Sequence, residues 1–123
     1  MYKPRWSRIR AYLRKKRADA FIIRAPSNIR YLYASHLPHS SSLATFLVVF
    51  RSGGVAAITS SLEAHRTRVQ GAKGADIHVF TSIPQVEADY KNFNEALSMV
   101  LKKNKARKVL CDGQMIVPKW RGQ

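Results

Sequence analysis

The sequence predicts an α/β fold, a mixed sheet of about five strands flanked by helices. Three observations carry this. Short apolar runs alternate with segments of helical period along the chain. One pair of apolar runs is joined by Ser52, Gly53 and Gly54, a hairpin signal. A hydrophobic fraction of 46% in 123 residues suits one domain around one core, spanning residues 1–123.

The elements follow in order. Pro4 suits a first helical turn, where its missing N–H is not needed. Trp6, Ile9 and Leu13 then recur at helical spacing, so a helix over 4–17 faces the core with these three. Residues 20–24 form an apolar run without alternation, as in a strand covered on both faces. Pro26 disfavours helix in the residue before it, and Ser27 or Asn28 is expected to cap a short helix holding Ile29, Tyr31 and Leu32. Residues 35–43 read as an exposed loop. Strands over 45–51 and 55–59 make the hairpin. Ser60 and Glu63 have capping-box spacing, which predicts a helix over 62–70 that stops at Gly71. Residues 76–81 read as a strand, and a linking segment with Pro84 follows. Phe93, Ala96, Leu97, Val100 and Leu101 mark an amphipathic helix ending near Asn104. Residues 108–112 are the last strand, closed by Gly113. The remaining residues show no clear element.

Charge is the unusual property. The chain has 22 Lys and Arg against seven Asp and Glu, a formal net charge of +15. Two clusters stand out. Arg8, Arg14, Lys15, Lys16 and Arg17 lie on the first helix; Lys102, Lys103 and Lys105 close the last one. They form a candidate basic patch for nucleic acid or an acidic partner. The bland alternative, a solvated helix face, is favoured over nucleic acid. No apolar run approaches a membrane span, so no membrane partner is expected. The start lacks the apolar core of a signal peptide, and the single cysteine, Cys111, cannot form an internal disulfide. A cytoplasmic location is expected.

No catalytic constellation is expected. Asp19, Glu63, Asp76, Glu87, Asp89, Glu95 and Asp112 are dispersed, whereas a two-metal hydrolase needs converging carboxylates. His36 and His39 could be imagined as a metal pair, but Pro38 separates them and no third ligand is near, so an exposed loop is the expected reading. His65 reads as solvated, His78 as structural, and Cys111 as a small core residue.

One stretch is more specific. Asp19-Ala20-Phe21-Ile22-Ile23, followed by Pro26, Asn28, Ile29, Tyr31 and Leu32, resembles the opening of the amino-terminal domain of the creatinase, prolidase and aminopeptidase P family. Phe46 to Gly54 is similar to that family's apolar strand and glycine turn, and the Val-Leu-Cys-Asp-Gly step at 109–113 is similar to its close. The pattern departs at Tyr33-Ala34-Ser35, where the family has Thr-Gly-Phe.

The resemblance implies a ribonuclease-H-like topology and a non-catalytic role. In that role the domain assembles a homodimer or packs on its own catalytic domain, and walls a substrate pocket. His36 and His39 would then lie in a pocket-facing loop. A divalent metal pair (Mn, Co or Zn) is implied only for a following catalytic domain of the pita-bread fold, which is expected to be absent from these residues.

Overall fold

The computed structural model describes residues 2–33, 45–61, 71, 73–81 and 88–112. Three helices and five strands are present among them: α1 (Tyr2–Lys16), β1 (Ala20–Ile23), α2 (Pro26–Leu32), β2 (Thr45–Phe50), β3 (Val55–Ser60), β4 (Asp76–Phe80), α3 (Phe93–Lys103) and β5 (Val109–Cys111). The sheet is mixed and runs β4-β3-β2-β1-β5. Its three central strands are antiparallel neighbours, and β4 and β5 add at the two edges in parallel. This is the α/β architecture expected from the sequence. No described helix is long and apolar enough to cross a membrane.

The sheet separates two cores. Ile23, Leu47, Val49, Val55 and Ala57 pack with Trp6, Ile29, Leu32 and Tyr33 under α1 and α2. Ala20, Ile22, Val48, Phe50, Ala56 and Ile58 pack with Ala96, Leu97, Val100 and Leu101 under α3. Successive strand residues point to opposite faces, so a strand buried on both sides must be apolar at every position. That is why β1 to β3 read as continuous runs rather than alternating ones. At one end of the α1/α2 face, Thr45 and Thr59 pair across β2 and β3 and share a hydrogen bond of 3.2 Å, which satisfies two buried hydroxyls.

Both long helices end in the same way. In α1, Ala18 N–H donates to Leu13 O and Arg17 N–H to Arg14 O. In α3, Ala106 N–H donates to Leu101 O and Lys105 N–H to Lys102 O. These bond pairs define a Schellman cap, with the buried alanine packed near the buried leucine of the last turn. The residue that must turn left-handed is not glycine in either case: Arg17 has φ 56° and Lys105 φ 54°. The sequences match, Leu-Arg-Lys-Lys-Arg-Ala and Leu-Lys-Lys-Asn-Lys-Ala. A left-handed side chain costs energy that glycine avoids, so Lys105→Gly is expected to raise stability by roughly 0.5–1 kcal/mol in urea unfolding.

The start of α2 corrects the sequence reading. The N-cap is Ala25, not Ser27 or Asn28, with no hydrogen bond from its own side chain, and Pro26 opens the helix. The chain entering the helix is held instead by Asp112, as described below. By contrast, α3 is capped locally: Asn92 Oδ1 accepts from Glu95 N–H at 2.8 Å. The expected helix over 62–70, the Pro84 link and the 35–43 loop lie outside the described residues.

Candidate functional site

Two carboxylates stitch the short edge strand β5 into the fold. At its start, Asp19 Oδ2 accepts from Arg107 N–H at 2.8 Å and Lys108 N–H at 3.0 Å, while Oδ1 pairs with Arg51 at 3.0 Å. Burial opposes the charged form of Asp19. The two backbone donors and the charges of Arg51 and Arg107 outweigh it and hold the carboxyl below its usual range. At the other end, Asp112 accepts from Arg24 N–H at 2.6 Å, Ala25 N–H at 3.1 Å and the Asn28 amide at 2.7 Å. Asp112 thus satisfies donors at the start of α2, from a strand 84 residues away. A third carboxylate, Asp89, accepts from Val79 N–H at 3.1 Å.

The carboxyl end of α2 is closed by α1. Trp6 Nε1 donates to Leu32 O at 2.7 Å, and the Arg5 guanidinium donates to Tyr31 O. These are carbonyls that a helix end leaves unpaired. Arg5 also stacks 3.9 Å from the Tyr31 ring centroid. Between α1, α2, β1 and the end of β5 lies a cavity of about 290 Å³, lined by Arg5, Arg8, Ile9, Phe21, Ile23, Asn28, Tyr31, Leu32 and Asp112. Its floor is aliphatic and aromatic; its rim carries the two arginines on one side and Asp112 on the other.

The basic residues divide by what they do. Arg14, Lys15, Lys16 and Arg17 are exposed at the end of α1, and Lys102, Lys103 and Lys105 at the end of α3. The fold brings the first group beside the start of β5, where Lys108 Nζ donates to Lys16 O at 3.0 Å. Cations at helix carboxyl ends offset the helix dipole, so these clusters have a structural reason to exist. Arg10 holds the hairpin turn through Phe50 O at 3.2 Å and through Gly53 O. Gly53 has φ 126°, as the predicted tight turn requires. Arg8 differs: it is exposed in the middle of α1 and is not consumed by a cap or a turn.

The remaining candidates are structural where they are described. His78 Nδ1 lies 3.1 Å from Tyr90 Oη and is half-buried. Burial, helped by the charge of Lys103, pushes its pKa down against the raising effect of Asp76 and Asp89. Cys111 is half-buried in β5, on the α3 face. Tyr33, where the sequence begins to depart from the family pattern, is a core residue, and burial pushes its phenol up to about 12. No group of three or more His, Cys, Asp or Glu among the described residues could hold a metal ion. His36 and His39 lie outside the described residues.

The structure defines an α/β domain in which Asp19, Asp89 and Asp112 are turned onto its own backbone. The creatinase/prolidase N-terminal domain profile matches residues 5–120, and the chain belongs to that family.

Among solved structures, it is similar to an Xaa-Pro dipeptidase from Bacillus anthracis, with a TM-score of 0.69 and 13% identity over 91% of this chain and 27% of the other. It is also similar to the creatinase/prolidase N-terminal domain of an X-Pro dipeptidase from Streptococcus pyogenes, with a TM-score of 0.50 and 24% identity over 62% of this chain and 57% of the other. A third is the creatinase/prolidase-like N-terminal domain of a putative metallopeptidase from Corynebacterium diphtheriae, with a TM-score of 0.57 and 14% identity, covering 94% and 98%. At these identities the likeness is one of fold. The chain spans only 27% and 57% of the first two relatives. No curated protein matches the sequence.

Proposed function

We propose that these residues serve as the non-catalytic amino-terminal domain of an Xaa-Pro dipeptidase- or aminopeptidase P-like metallopeptidase, assembling its dimer and walling its substrate pocket. The family match over 5–120 carries this reading. The geometry supports it, because Asp19, Asp89 and Asp112 each accept backbone N–H groups and so hold the fold together. Hydrolysis next to proline would belong to a following catalytic domain with its divalent metal pair. His36 and His39 would sit in the loop that faces the pocket.

The test is direct. The purified 123-residue chain is incubated with Xaa-Pro dipeptides and added manganese or cobalt, and proline release is followed. No turnover is expected, and robust turnover would refute the reading. A second reading, a basic binding module for nucleic acid or an acidic partner, is favoured by one observation: among the described residues, exposed Arg8 serves no cap or turn and lines a groove with an apolar floor.

A further inference from the structure

We infer that the groove between α1 and α2 docks an acidic protein segment through one apolar anchor side chain. This deepens the second reading and does not depend on the peptidase one. Residues 5, 8, 12 and 16 are spaced by three, four and four, so Arg5, Arg8, Tyr12 and Lys16 form one stripe along α1. Tyr12 and Tyr31 are 45% and 49% exposed, unusual for large apolar groups in this fold. Lys16 Nζ lies 5.7 Å from the Tyr12 ring centroid, and Tyr12 lies 6.2 Å from Phe21 in the groove floor. Together they extend the 290 Å³ cavity into a surface with an apolar floor and a cationic margin.

Three features select a peptide over a nucleic acid. Ile9, Phe21, Ile23 and Leu32 offer no side-chain hydrogen bonds, so the edge of a base placed there would lose its water without a replacement. An aliphatic or phenyl side chain loses nothing. The polar groups at the far rim are already spent, since the Asn28 amide binds Asp112 and Asp112 also holds Arg24 and Ala25 N–H. Finally, the rim is split in sign. A phosphodiester chain carries a charge at every step and would run one past Asp112, whereas a peptide can keep its carboxylates on the α1 side, where the Arg8 guanidinium can take one in a pair of bonds and Arg5, already bonded to Tyr31 O, adds charge. The net charge of +15 draws such a partner in.

The experiment uses the full chain and a fluorescein-labelled peptide, Glu-Glu-Leu-Phe-Glu-Glu, read by anisotropy. Binding is expected, and changing Leu-Phe to Ala-Ala in the peptide should weaken it by about tenfold or more. Arg8→Glu should weaken it by about fivefold or more, while the same charge change at exposed Lys91, on the α3 side, should have less than about a twofold effect. Equal losses for the two variants would mean diffuse attraction and overturn the site. So would unchanged affinity for the Ala-Ala peptide, or displacement of the peptide by oligothymidylate at lower concentration. Binding seen only after removal of residues 113–123 would name those residues as the occupant and also overturn it. None of these outcomes bears on Xaa-Pro turnover.

Discussion

Trp6→Ala is expected to destabilise the domain by about 4 kcal/mol, the largest effect of any substitution considered. Trp6 is only 3% exposed and sits in the core beneath α1 and α2. Truncation removes its packing against that core and leaves a cavity. It also removes the Nε1 donor to Leu32 O, so a carbonyl at the end of α2 loses its partner. Domains of this size have about 5–15 kcal/mol in total, so the variant should sit close to its unfolding threshold. Urea unfolding followed by far-ultraviolet circular dichroism measures the loss. Trp6→Phe restores most of the volume but not the donor, and should recover more than half of it. If Trp6→Ala costs under about 1.5 kcal/mol, the contact of Trp6 with α2 contributes little to holding the fold.

Asp19→Ala should cost about 1–2 kcal/mol, because it strips a charged acceptor from the Arg107 and Lys108 N–H groups, which water can only partly replace. The ion pair to Arg51 adds little, since the Arg51 side chain is 43% exposed. The carboxyl's pKa is lowered in the folded state from an ordinary 3.8, so the unfolded chain takes up the proton first as pH falls. Its contribution is therefore complete above the ordinary value and fades as pH drops through the folded one. Asp19→Asn keeps an acceptor oxygen but no titrating group. Between about pH 5 and pH 2 it should lose less stability than the parent chain, and a parallel decline in both would place the acid sensitivity elsewhere.

Asp19 illustrates how far the sequence could be read. The residue stands out in the family-like stretch, and the strand after it is legible from four consecutive apolar residues, Ala20 to Ile23. Its partners are not legible, because Arg107 and Lys108 lie 88 and 89 residues further on. The same holds for α2. Ser27 and Asn28 are good capping types, and local propensity pointed to them, but the helix opens at Pro26, and Asp112 from the neighbouring strand holds Arg24 N–H, Ala25 N–H and the Asn28 amide. Tertiary contact overrode the local signal. For α3 the cap is local, since Asn92 and Glu95 are three residues apart, although the sequence reading did not name it.

The basic clusters teach a related lesson. As sequence, Arg14 to Arg17 and Lys102 to Lys105 look like one candidate patch. In the structure both belong to Schellman caps, where cations face exposed carbonyls and a left-handed residue turns the chain. The repeated Leu-x-x-x-basic-Ala spacing was the available signal. Arg8, inconspicuous among its neighbours, is the cation that the fold leaves beside an apolar groove.

The sequence alone determined the strands, the glycine hairpin, the two long helices and the family, because each depends on periodicity or on residues close together in the chain. Only the tertiary structure decided which acids hold which backbone, what fixes the entry to α2 and where the groove lies. Those features join residues from β1, β5 and two helices, and a hydrogen bond or a cavity exists only once the sheet has brought them together.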